Sequence, residues 1–392
     1  MKQNYKITPE GTHDLLFEEC LARREAERRL TEAFRVRGYH EVMTPGFEYY
    51  DVFTQSEAGI GQEVMYKMTD RHGRLIVMRP DSTMPIARLA ATRLLNQPRP
   101  LRLYYDQPVY RSNPILIGRE DENAQAGVEL LGADGLRADL EVLTTAVESL
   151  LSCVPDFRLE LGHAGFFHTL AEQLSLSEDR LEDIRSAIES KNYAALDQIL
   201  DALPASAAVD AMRRLPRLFG GEEVFEEAEK LCATPKAKET LSYLKKLYHA
   251  VQDLGLGDRL MVDLGLVQRN DYYTGVVFTA YTEEYGDAVL FGGRYDHLLE
   301  HYGCKMPAVG FGVNVDAVTK ILLQNDEYPA VQEPQVLVHG DHGKAVAALR
   351  RAAKLTAQGI CCETSLCETR EEALNYAKSR NIPKVEFVEG KE

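Results

Sequence analysis

The chain has 392 residues, room for two or three domains with cores of their own, and its 45% hydrophobic and 27% charged residues suit a globular protein. Asp and Glu outnumber Lys and Arg by 61 to 45, a net charge of −16 that argues against a chain built mainly to grip a polyanion. No apolar run approaches the ~18 residues of a membrane span, and the seven cysteines show neither a Cys-x-x-Cys nor a histidine at zinc spacing, so no metal site is expected.

The opening "MKQNYKITPEGTHDLL" is polar, without the apolar core of a signal peptide, and a cytoplasmic location is expected. "LFEECLARREAERRLTEAFRVRG" reads as an amphipathic helix, with Leu30 and Phe34 four apart and Gly38 at the C-terminal cap. In "YHEVMTPGFEYYDVF" Pro45-Gly46 interrupts a strand-like run. "LIVMRPDST", "LRLYYDQPVYR" and "GVELLG" look like strands, the last two joined by the irregular "SNPILIGREDENAQA". Separation by turns points to a mainly antiparallel sheet.

From about 165 to 256 the period is helical. "SLSEDRLEDIRSAIES" places Ser175 and Glu178 in capping-box register and Leu181, Ile184 and Ile188 on one face. This stretch reads as an insertion, because strand-like sequence resumes at "LMVDLGLVQRNDYYTGVVFTAY" and continues through "AVLFGGRYDHLLEHYG" and "MPAVGFGVNVDAVTKILL". A first domain over 1–325, a polar linker over 326–334 and a small α/β unit over 335–392 are expected. In that unit, strands "VLVHG", "ICCETS" and "KVEFVEG" alternate with two helices, and parallel pairing follows.

Several of these segments together resemble the catalytic domain of histidyl-tRNA synthetase, a class II synthetase, over most of 5–325. "TPEGTHDLL" resembles the family's N-terminal signature, and "EVMTPGFEYYDVF" its dimer-interface motif. "MRPDST" is similar to the amino-acid-binding turn R-P-E-x-T, and "YRSNPILIGREDENAQAGVELLG" to the second class motif. "LVQRNDYYT" is similar to the histidine-specific segment L-V-R-G-L-D-Y-Y-T. "FGGRYDHL" and "AVGFGVNVDAV" correspond to the late glycine-rich strand and the third class motif.

The resemblance implies an antiparallel sheet of six or seven strands flanked by helices, dimerisation through the Pro45 region and a truncated C-terminal domain. It also implies a pocket for free histidine. Asp81, Thr83 and Gln125 would hold the α-ammonium, Arg111 would face the α-carboxylate, and Glu129 and Tyr273 would read the imidazole nitrogens against Tyr272. Singly, each has an ordinary reading. Asp81 after Pro80 suits a turn, Glu129 an exposed strand position, Arg111 a surface ion pair, and Tyr272-Tyr273 a core pair. His163, His168, His339 and His342 read as structural or exposed.

The groups needed to activate an amino acid are absent from their expected places. The arginine of the histidine-specific segment is Gln268, with Arg269 beside it, and the third-motif arginine is Ala317 after Asp316. In the second motif Asn113 replaces glutamate, Asp121 replaces the phosphate-facing arginine, and Asn123 replaces the aromatic under adenine. One lost transition-state donor lowers a rate by about 10²–10³. Such a pocket keeps its amino acid but cannot adenylate it, so no catalytic residue and no cofactor is expected. The pattern resembles a non-charging branch of the family that pairs with the short catalytic subunit of ATP phosphoribosyltransferase, at the first committed step of histidine biosynthesis. The other readings are a working histidyl-tRNA synthetase, an RNA-binding sensor of uncharged tRNA, and a paralogue that ligates an amino acid to a protein.

Overall fold

The computed structural model describes residues 6–54, 60–113, 120–267 and 272–389. Its contacts divide the chain into two compact units, Met1–Tyr328 and Pro329–Glu392. The strands are β1 (His40–Glu41), β2 (Phe47–Tyr49), β3 (Lys67–Thr69), β4 (Leu75–Met78), β5 (Leu101–Tyr110), β6 (Glu122–Leu131), β7 (Arg158–His163) and β8 (Phe219–Gly220). They continue with β9 (Leu260–Asp263), β10 (Val276–Thr282), β11 (Tyr285–Arg294), β12 (Ala308–Asn314), β13 (Val336–Gly340), β14 (Cys362–Thr364) and β15 (Lys384–Val388).

The main sheet runs β1-β5-β6-β12-β11-β10-β7-β9-β8. Its middle, from β5 to β7, is antiparallel throughout, as the sequence implies. Parallel pairs of β1 with β5 and β7 with β9, and an antiparallel pair of β8 with β9, extend it to nine strands, beyond the six or seven expected. A second sheet, β2-β4-β3, carries the segment around Pro45.

A core lies on each face of the main sheet. Along β6, Ala124, Ala126, Val128 and Leu130 point into the larger, helix-covered core, while Leu131 joins the core on the opposite face. Period two therefore places Gln125, Gly127 and Glu129 on that opposite face. The helix Glu18–Val36 buries Ala22, Ala26, Leu30 and Phe34, one residue per turn, against the larger core. Gly38 takes φ +82° just beyond its end, where a residue with a Cβ would be strained.

Three expectations change. The helix Thr83–Thr92 separates strands that the sequence reads as joined by a turn, and the helix Leu136–Leu151 occupies a stretch to which the sequence assigns no element. The first is apolar on nearly every side, with Met84, Pro85, Ile86, Ala87, Ala90 and Ala91 all buried, so it has little polar face to betray a helical period. Ser175 ends one helix in the left-handed region and does not start the next; Ser177 precedes Glu178–Glu189 without a side-chain cap bond. The box forms instead at Thr369 and Glu372, before Arg370–Ser379. Finally, Tyr272 and Tyr273 lie in a turn before β10, not within a strand that continues from β9.

In the second unit β14, β13 and β15 are parallel, as expected. Helix Ala345–Thr356 packs on one face, against Val336 and Val338, and Arg370–Ser379 on the other, against Leu337.

Candidate functional site

On the sheet face opposite the larger core, Asp81, Thr83, Gln125, Glu129, Tyr272 and Tyr273 line one buried cavity. Sequence reasoning placed all six together but missed Tyr105, Phe291, Tyr295 and Phe311, which complete the lining with Gly310 and Gly312. The seventh expected residue, Arg111, lines the adjoining cleft. It lies at the shared edge: Nη2 is 3.9 Å from Asp81 Oδ2, and Nε donates to the Pro80 carbonyl at 2.7 Å.

The floor is wide enough for these side chains because the neighbouring strand positions are glycines. A Cβ on Gly310 would lie 1.8 Å from Glu129 Oε2, and one on Gly312 2.8 Å from Gln125 Nε2. A Cβ on Gly293 would lie 2.6 Å from the Tyr273 ring. "GFGVNV" and "FGGRY" are thus clearance for polar side chains, which fits their lack of a phosphate-cradling spacing.

Glu129 is 1% exposed. Thr83 Oγ1 donates to its Oε1 at 2.7 Å and the Tyr295 hydroxyl donates to Oε2. Burial nevertheless wins, pushing the carboxyl up to about 8, which favours its protonated form at neutral pH. Burial raises Asp81 as well, against the pull of Arg111 and of the Met84 amide, which donates to Asp81 Oδ1 at 2.9 Å. The Tyr105 hydroxyl donates to Gln125 Oε1 at 3.2 Å. The rings of Tyr272 and Tyr273 lie 4.7 Å apart, with Tyr295 edge-on to Tyr272 at 5.6 Å. Free space in the cavity is only about 10 Å³, room for about one water.

The adjoining cleft is open and holds about 660 Å³. Arg111 and Lys320 face three carboxylates there, Glu120, Asp287 and Asp316. Asp316 is committed, with Oδ1 2.8 Å from Arg23 Nη2 and Oδ2 accepting from the Ala124 amide at 2.7 Å. Ala317 is fully buried in the larger core. Asp121 departs from expectation. Its carboxylate does not line the cleft but accepts from the Tyr66 hydroxyl and from the Asn113 amide at 2.9 Å. Asn113 and Asn123 both donate to the Glu120 carbonyl at 2.7 Å. Gln268 and Arg269 fall outside the described residues.

Of the other histidines, His163 caps Ala164–Leu174, its Nδ1 accepting from the Gly165 amide at 3.1 Å, and burial lowers it to about 4. His339 is buried, 3.0 Å from Ser365 Oγ. Among the described residues no three His, Cys, Asp or Glu side chains converge as a metal would need. No helix among them is long and apolar enough to cross a membrane.

A family model described as histidyl-tRNA synthetase matches residues 11–318. The chain is 39% identical over 381 residues to the ATP phosphoribosyltransferase regulatory subunit of Clostridium kluyveri, covering 96% of this chain and 97% of that one. It is 37% identical over 390 residues to the protein of the same name from Bacillus cereus, covering 98% and 92%. Among solved structures, an ATP phosphoribosyltransferase regulatory subunit/histidyl-tRNA synthetase from Bacillus halodurans superposes with a TM-score of 0.84 at 30% identity, covering 98% and 99%. A histidyl-tRNA synthetase from Nostoc shares the fold, with a TM-score of 0.73 at 20% identity, covering 96% and 90%.

Proposed function

The chain belongs to the histidyl-tRNA synthetase-like family of ATP phosphoribosyltransferase regulatory subunits, and on that footing we propose that it binds free histidine and conveys its occupancy to a short catalytic subunit in the cytoplasm. The protein itself charges nothing; it confers activity and feedback control on its partner.

One contrast carries this reading: a closed pocket rich in groups that suit histidine adjoins an open cleft whose charges do not suit a triphosphate. In the pocket, Asp81, Thr83 and Gln125 serve the α-ammonium, and Arg111 reaches the α-carboxylate from the pocket's edge. Glu129 enters as a neutral acid and donates to one imidazole nitrogen, while the Tyr273 hydroxyl serves the other. A sensor tuned to cellular histidine needs a Kd of roughly 10⁻⁶–10⁻³ M, or about −4 to −8 kcal/mol. Three or four charge-assisted hydrogen bonds at about 1.5–3 kcal/mol each supply that after ordering costs.

Adenylate formation asks for cations where charge builds on phosphate. Among the described residues that line the cleft, three carboxylates stand against Arg111 and Lys320, and Asp316 with Ala317 stands where the motif carries an acid-arginine pair. Histidine-dependent ATP–pyrophosphate exchange, run beside a calorimetric histidine titration, tests the reading. Histidine binding without exchange supports it; turnover at synthetase-like rates overturns it in favour of a working synthetase.

Self-association belongs to the same reading. Met43, Phe47, Tyr49, Met68 and Leu75 are exposed on and beside the β2-β4-β3 sheet, an apolar surface around Pro45 that suits a second copy of the chain.

A further inference from the structure

We propose that the helical insertion between β7 and β9 senses the state of the pocket through one buried line of contacts. The line runs from the Tyr272–Gly275 turn through Arg294 and Asp139 to Tyr243, with Arg294 and Tyr243 as positioning residues. It deepens the histidine reading and rests on it.

The starting point is space. About 10 Å³ is far too little for an imidazole, so a ligand whose side chain is seated inside this pocket displaces part of its wall. The floor is β6, β12 and β11, hydrogen-bonded along their length, with Glu129 and Gln125 packed directly over Gly310 and Gly312. Tyr272 and Tyr273 stand on the turn before β10, outside the strand ladder, so they are the part of the wall that an entering ligand would move.

What the turn is tied to decides where a shift goes. The Thr274 amide donates to the Arg294 carbonyl at 2.7 Å, and Thr274 Oγ1 accepts from the Asp296 amide at 3.0 Å. The Arg294 side chain lies directly under Gly275, where a Cβ would come within 2.8 Å of its Cδ. The Gly275 carbonyl accepts from the Ala164 amide at 2.9 Å, so the first helical residue of the insertion, Ala164, hangs on the same turn.

Arg294 is buried and points away from the cavity. Its Nε and Nη2 donate to Asp139 Oδ1 at 2.9 and 2.6 Å, and Nη1 donates to Asp296 Oδ1 at 2.9 Å. Asp139 is wholly buried, and its other oxygen accepts from the Tyr243 hydroxyl at 2.5 Å. Tyr243 belongs to the helix Pro235–Val251, the last of the insertion's helices. One carboxylate therefore holds the guanidinium beneath the pocket turn on one oxygen and the insertion's phenol on the other. A dry, charge-assisted line of this kind shifts in concert, since leaving one member unpaired is costly.

Hydrogen exchange of the Pro235–Val251 amides with and without saturating histidine, on the full chain, tests this. In the wild type histidine should change exchange in that helix at least threefold. Tyr243→Phe, which keeps the ring and loses the hydroxyl, should bind histidine within about threefold of wild-type affinity while that response disappears. Thr274→Ala, which cuts the line at the pocket end, should do the same and serves if Tyr243→Phe fails to fold. A wild-type helix that ignores bound histidine, or variants that respond like the wild type, overturns the proposal and leaves the histidine reading intact. A titration with no heat of histidine binding to wild type overturns both.

Discussion

Glu129 is where the chemistry of the pocket and the stability of the fold meet. Native Glu129 holds its proton up to about pH 8, whereas an unfolded chain releases it near 4.5. The native state thus binds more protons across that window, and its stability falls as pH rises through it. Glu129→Gln removes the titration. We expect the variant to gain thermal stability on the wild type between pH 5 and 8, with little difference at pH 5, while histidine affinity drops about tenfold or more. Differential scanning calorimetry at the two pH values checks the first part, and a parallel loss of stability at pH 8 would contradict it. Asp81, Thr83, Gln125, Glu129 and the tyrosine pair were legible as a group from ordered motifs. Tyr295 was not: it sits one residue beyond Arg294 in a segment read for its glycines, and only the fold shows its hydroxyl on Glu129.

At the level of elements, β6 explains why a functional strand reads like a core strand. Its small and apolar residues face the helices, and the intervening Gln125, Gly127 and Glu129 form a polar row inside a second core. That alternation was visible, but without the partner strands it looks like a solvated face. The paired glycines reveal the difference, because only close strands need them. Gly310→Ala should therefore lower stability by at least about 1–3 kcal/mol and abolish histidine binding, since its methyl would occupy the Glu129 carboxylate. Chemical denaturation and titration of that variant measure both; wild-type affinity would show that the floor is not rigid. Helix Thr83–Thr92 escaped notice for the opposite reason, being buried on almost every side. The capping box escaped because Ser175–Glu178 and Thr369–Glu372 share the same spacing, and the left-handed turn at Ser175 decides between them.

Across the whole molecule, the architecture followed from the order of motifs, while the added edge strands β1, β8 and β9 are too short or too isolated to read. Several carboxyls besides Glu129 are raised by burial, Glu160 to about 7 and Asp106 and Asp263 to about 6. Each holds its proton longer in the native state than in the unfolded one. Native stability should accordingly be greater near pH 5 than near pH 8, and a midpoint that rises steadily toward pH 8 would contradict the assignment. The net charge of −16 adds a second whole-chain constraint, since it lowers any general attraction to RNA. Activity of a short ATP phosphoribosyltransferase catalytic subunit, measured alone, with this protein, and with this protein plus histidine, is the most direct measurement. The account predicts little turnover alone, a large gain on mixing, and loss of that gain as histidine fills the pocket. A catalytic subunit whose rate is the same in all three mixtures would contradict it.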